Sequence, residues 1–88
     1  MQFRASWPAG HVMVFHFPKS HTWTYHARNV LFPLDLVLVN CTGRVVSIER
    51  LNPGRWSRKN PAHLLAIEAP AGFAQMNSLK IGDRIEFL

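Results

Sequence analysis

The chain has 88 residues, of which 48% are hydrophobic and 17% charged, a composition that makes one globular domain over residues 1–88 and excludes a disordered chain. Ten Lys and Arg against five Asp and Glu leave a net charge of +5, which steers the chain toward acidic partners without by itself making a nucleic-acid binder. No apolar run approaches the roughly 20 residues that span a bilayer. Met1-Gln2-Phe3-Arg4 runs into Trp7-Pro8 without the regions of an export signal, and the single cysteine, Cys41, excludes an internal disulfide.

The pattern along the chain is β almost throughout. Residues His11 to Phe17, rich in Val and Phe and stopped by Pro18, predict a strand. Thr22 to Ala27, alternating β-branched and aromatic residues, predict a second. Leu34 to Val39 and Arg44 to Leu51 flank Asn40-Cys41-Thr42-Gly43, a hairpin in which Asn starts the turn and Gly43 supplies a positive φ. Asn52-Pro53-Gly54 opens a basic loop that ends at Asn60-Pro61, and His63 to Ala69 form a fifth strand. Phe73 to Leu79 is the one helix, about two turns at most, and Arg84 to Leu88 is a last strand. Val12 and Val14 oppose Met13, Phe15 and Phe17, while Leu34, Leu36 and Leu38 oppose Val37 and Val39. Strands apolar on both faces imply a covered sheet or packing on a second chain. The expected fold is mainly β: a small antiparallel, partly open β-barrel with one short helix near the C-terminus.

Asp35 is the one carboxylate in the run Leu34–Val39, so it must be hydrogen-bonded or reached by ligand. With Arg28, Asn29 and Glu68 it could form a pocket in which Arg28 neutralises two carboxylates, a set able to hold a polar ligand or do acid–base work. The plainer reading has greater weight. Asn29 turns the chain, Asp35 accepts backbone amides and Arg28 pairs with Glu68, because buried polar groups are normally satisfied for structural reasons.

The other candidates carry less. His11, His16, His21 and His26 recur every five residues, which alternates strand faces, whereas metal sites on strands favour His-x-His; no metal site or cofactor is expected. Cys41 lies at a hairpin tip without a neighbouring base, and the serines lack a nucleophile elbow. Arg50, Arg55, Arg58 and Lys59 surround Trp56, a combination that suits a solvated loop with a stacked arginine, a protein contact or a single-stranded nucleic acid. Nucleic acid is the least favoured of the three.

Several motifs run in order along the chain. Met1-Gln2-Phe3-Arg4 resembles G-L-M-x-R, and Gly10 to Phe17 resembles G-M-L-F-x-F. Tyr25-His26-Ala27-Arg28-Asn29-Val30-Leu31-Phe32-Pro33-Leu34-Asp35 resembles F-W-M-[KR]-N-T-x-x-P-L-D, and Thr42-Gly43-Arg44-Val45 resembles D-G-x-V. Ala66 to Gly72 and Gly82-Asp83 are similar to L-E-x-x-A-G and G-D. These are motifs of the prokaryotic family catalogued as domain of unknown function 192. Departures include His26-Ala27 for an aromatic-Met pair, Val30 for Thr, and the lack of the family's opening strand and export signal. The resemblance implies a compact, mainly β fold and no particular reaction.

The sequence therefore favours a non-enzymatic protein-interaction or assembly module with no catalytic residues. It would self-associate or dock on a larger structure, such as a phage-like particle, and be cytoplasmic or virion-associated with no membrane contact. The interface residues are Val12, Val14, Phe15, Phe17, Arg55, Trp56 and Arg58, with the first strand left as an unpaired edge. The alternatives are a module binding a small polar ligand or nucleic acid, and an enzyme using Asp35 and Glu68.

Overall fold

The computed structural model describes residues 12–27 and 31–85. Four strands form one antiparallel sheet: β1 (Met13–His21), β2 (Leu34–Val39), β3 (Val45–Leu51) and β4 (His63–Pro70). One short helix, α1 (Phe73–Met76), follows. The spatial order is β1-β4-β2-β3, so among the described residues the sheet is unclosed, with β1 and β3 at its margins. The mainly β architecture with a late short helix is thus the one expected.

β2 is central, and all six of its residues are buried. Its continuous Leu/Val run fits that place, because both faces are covered. One face carries Leu36, Leu38 and Ala66 beneath Tyr25 and Ala27, with Phe15 and Phe17 packed alongside. The other carries Val37, Val39 and Ile67 beneath Phe73, Leu79 and Ile85. Each Leu or Val fully removed from water here stabilises the fold by roughly 1.5–3 kcal/mol before chain entropy is subtracted.

The hairpin between β2 and β3 forms where expected. Asn40 Oδ1 accepts from the Thr42 amide at 3.1 Å, the Thr42 hydroxyl at 2.8 Å and the Arg44 amide at 2.9 Å. Gly43 takes φ +82°, a conformation that strains any residue with a Cβ.

Five local expectations need correction. β1 does not stop at Pro18 but runs to His21 through a register break after His16; a proline without an N–H is tolerated where the strand is marginal and irregular. β1 is also covered on one face only, since Val12 and Val14 are exposed at 38% and 42%. The cover over the second face lies on the central strands. The segment 22–27 is no sheet strand. It pairs instead with the loop 54–57 through Ala27 N to Arg55 O at 2.9 Å and Ser57 N to Tyr25 O at 2.7 Å, with a single bridge between His26 and Trp56. The helix ends at Met76, because Asn77 returns its side-chain amide to Phe73 O at 2.8 Å and Ser78 turns left-handed at φ +54°. Of the expected last strand, Arg84 makes one bridge to Arg44, and residues 86–88 lie outside the described set.

Candidate functional site

Asp35 and Glu68 are both buried, at 4% and 5% exposure, yet they do not share a pocket. Leu36 pairs with Glu68 and Asp35 with Ala69 across β2 and β4. Residues opposite one another in an antiparallel ladder point to the same face, so the two carboxylates lie on opposite faces of the sheet. That overturns the convergent pocket. Arg28 and Asn29 lie outside the described residues.

Asp35 is a structural anchor. Its Oδ2 accepts from the Gly72 amide at 3.1 Å and the Ala74 amide at 3.0 Å, which have no partner within so short a helix. Its Oδ1 faces Arg50 Nε at 3.2 Å, and Arg50 stands directly across the β2–β3 ladder. Arg50 supplies the cation that counters Asp35, with its head group largely in solvent. One carboxylate thereby ties a central strand, an outer strand and the start of α1 together.

The opposite face holds a buried polar group that the sequence did not single out. His63, with no accessible surface, lies 2.6 Å through Nε2 from the Tyr25 hydroxyl and 2.9 Å through Nδ1 from the Pro61 carbonyl. A carbonyl can only accept, so Nδ1 carries the proton, Nε2 accepts, and Tyr25 donates. Burial holds His63 below its ordinary pKa, the Pro61 hydrogen bond pulls the other way, and His21 lowers it further. The rings of His21 and His63 stand 5.0 Å apart at 88°, and Phe17 packs on His21 at 4.0 Å. Burial, and secondarily the Glu68 charge, push the Tyr25 phenol well above its ordinary value, which keeps it a donor.

Glu68 sits on the same face as Tyr25, opposite Met13 and Leu36 in the two ladders. Its Oε1 is buried without a hydrogen-bond partner among the described residues, and burial pushes the carboxyl from 4.5 up to about 7. A carboxyl held near neutrality can exchange protons in chemistry when substrate reaches it. Here the side chain lies under the sheet's apolar cover. A cleft of ≈ 260 Å³ opens elsewhere, lined by Ser47, Arg58, Lys59, Asn60 and Pro61 among others, and neither Asp35, Tyr25, His63 nor Glu68 reaches it. Among the described residues no three His, Cys, Asp or Glu side chains group to hold a metal ion.

The basic loop is ordered by pairing rather than by arginine stacking. The Arg58 amide donates to both Glu49 carboxylate oxygens, at 3.2 and 3.1 Å, and its guanidinium lies 3.6 Å from Glu49. Trp56 meets His26 instead, with ring centroids 4.4 Å apart at 63°, and stays 60% exposed. Cys41 is an exposed free thiol at the hairpin tip.

Fold and polar sites together define a small antiparallel β-sheet domain with two carboxylates, Asp35 and Glu68, sunk into its framework. The chain belongs to the domain of unknown function 192 family, described as "Uncharacterized ACR", whose family model matches residues 1–87. A UPF0127 protein of Pyrococcus abyssi (strain GE5 / Orsay) is 26% identical over 81 residues, covering 90% of this chain and 69% of the relative. Among solved structures, a protein of unknown function from Novosphingobium aromaticivorans DSM 12444 matches with TM-score 0.85 at 26% identity, over 98% of this chain and 64% of that one. A "putative transcription regulator" from Sinorhizobium meliloti 1021 matches with TM-score 0.81 at 24% identity, over 97% and 68%, a likeness of fold alone. The chain thus spans 64% of the length of the Novosphingobium protein. In the described residues no helix is long and apolar enough to cross a membrane.

Proposed function

We propose that this domain is a non-enzymatic protein-interaction module that accepts another chain, its own copies included, along strand β1. The observation that carries the reading is the state of that strand. Among the described residues it is the margin of the sheet, Val12 and Val14 are exposed, and no charged residue interrupts Val12 to Pro18. A hydrophobic margin without a charged gatekeeper recruits a further strand or an apolar face. The polar groups favour the same reading. Asp35 is saturated by two amides and Arg50, and His63 by Tyr25 and Pro61, so neither is free to meet a substrate. Incorporation into a larger particle, a phage-like virion among them, is one setting for such a module.

Multi-angle light scattering at micromolar concentration is the test. The parent domain should run as an oligomer or co-purify with a partner, and Val14→Lys, which puts a charge on an already exposed position, should release monomer with its melting temperature little changed. A parent that is monomeric, and a Val14→Lys variant that is equally soluble and loses no partner, would sink the reading.

A further inference from the structure

Residues 25–27 and 54–57 are laced together away from the main sheet, and side chains alternate across the lacing. Tyr25, Ala27 and Ser57 are buried, while Trp56 is exposed and His26 is half-buried beside it. Trp56 does not stand there to fill a core: at 60% exposure its indole is open to a partner from solvent. Trp23 is also 60% exposed, but its ring lies 6.0 Å from that of His21 in β1, outside the laced segments.

Arg58 is paired with Glu49, and the charges left around Trp56 are positive. Arg55 and Lys59 are exposed and make no ion pair with a described carboxylate, and residues 52–62 contain no Asp or Glu. Two residues beyond Trp56 begins the ≈ 260 Å³ cleft, lined by Arg58 and Lys59 and also by Val46, Pro61 and Ile81. An exposed indole beside unpaired cations presents what a flexible polyanion with flat aromatic faces requires: phosphates meet the cations and a base stacks on the ring. Duplex DNA keeps its bases stacked inside and offers nothing to an indole on a surface. A protein partner could cover Trp56 too, but it would leave Arg55 and Lys59 to be matched by carboxylates.

We infer that the laced segments around His26 and Trp56 form a binding site for single-stranded nucleic acid. Trp56 is the stacking platform, and Arg55 and Lys59 are the phosphate contacts. This surface is separate from β1, so the site stands or falls independently of the interaction proposed above.

The test is fluorescence anisotropy with labelled ten-nucleotide oligo-dT and oligo-U, titrated with the whole chain between about 20 and 200 mM salt. Both single strands should bind in the micromolar range. The logarithm of affinity should fall against the logarithm of salt with a slope of roughly −1.4, as expected for two phosphates on a single strand. Trp56→Ala should weaken binding roughly 5- to 150-fold, with Trp56→Phe recovering part of the loss, and Arg55→Gln should lower the salt slope by about 0.7. Thermal melting of each variant checks that the laced segments remain folded. Three results would each overturn the site: no binding at about 20 mM salt, duplex bound as well as single strand, or affinity unmoved by Trp56→Ala. An oligomer dissolved by Trp56→Ala without any oligonucleotide binding would assign the surface to protein instead.

Discussion

Replacing Glu68 by Gln should make the domain more stable, and only at high pH. Burial holds this carboxyl at about 7 against an ordinary value of 4.5. Below about pH 4.5 the proton is on in both folded and unfolded chains and ionisation costs folding nothing. As pH rises toward 7 the unfolded chain ionises while the folded one retains its proton, so stability drains away; above 7 both are ionised and the full penalty stands. A raised carboxylate pKa thus contributes stability at low pH that is lost as pH rises through the folded value. The difference of about 2.5 pH units, at about 1.4 kcal/mol each, amounts to about 3 kcal/mol. Gln has the size of the protonated acid and no charge to bury. At pH 8 Glu68→Gln should gain about 3 kcal/mol, on the order of 10–20 °C in melting temperature for a domain this small, and at pH 5 under about 1 kcal/mol. Paired urea and thermal melts of parent and variant at the two pH values measure it. A variant equal to or weaker than the parent at pH 8, or a gain of the same size at both pH values, would refute a carboxylate penalised by burial.

His63 runs the other way, since its folded pKa is depressed: the unfolded chain takes up a proton as pH falls through about 6.5 and the folded one resists, so stability is lost toward acid. With Glu68→Gln removing the opposing slope, stability should rise with pH between about 5 and 7, and a flat profile in a pH-stepped melt would contradict the buried neutral imidazole. Tyr25→Phe strips His63 Nε2 of its donor inside the fold and should cost about 1–3 kcal/mol by chemical denaturation; a neutral result would mean that the 2.6 Å contact contributes nothing net. Asp35→Asn keeps one acceptor for the Gly72 and Ala74 amides but faces Arg50 with a neutral group, and should cost about 1–3 kcal/mol in the same assay. If it melts like the parent yet abolishes a measurable activity, Asp35 is more than an anchor.

Most of the sheet was legible in the chain because local pattern and burial agree there. The Leu/Val run of 34–39 can only be a strand covered on both faces, and Asn40 and Gly43 can only turn it; both appear as read. The anchoring role of Asp35 was legible too, since a lone carboxylate in such a run must find donors. Its donors were not. Gly72 and Ala74 lie 37 and 39 positions away, and no spacing in the sequence reports so distant a pairing.

What the sequence by itself determined is the class of fold: periodicity, turn residues and size leave one small antiparallel β domain with a late, short helix. Register was decided only in three dimensions. The pairing of Leu36 with Glu68 sends the two carboxylates to opposite faces, because a side chain's face alternates with every residue and a shift of one would have reversed it. The same holds for the Tyr25–His63 contact across 38 residues, whose one signal in the sequence is a histidine opening an apolar strand just after Pro61. Composition prescribes that polar groups sunk in a core find partners; only the folded chain decides which ones, since contacts between distant positions are chosen by packing the whole domain at once.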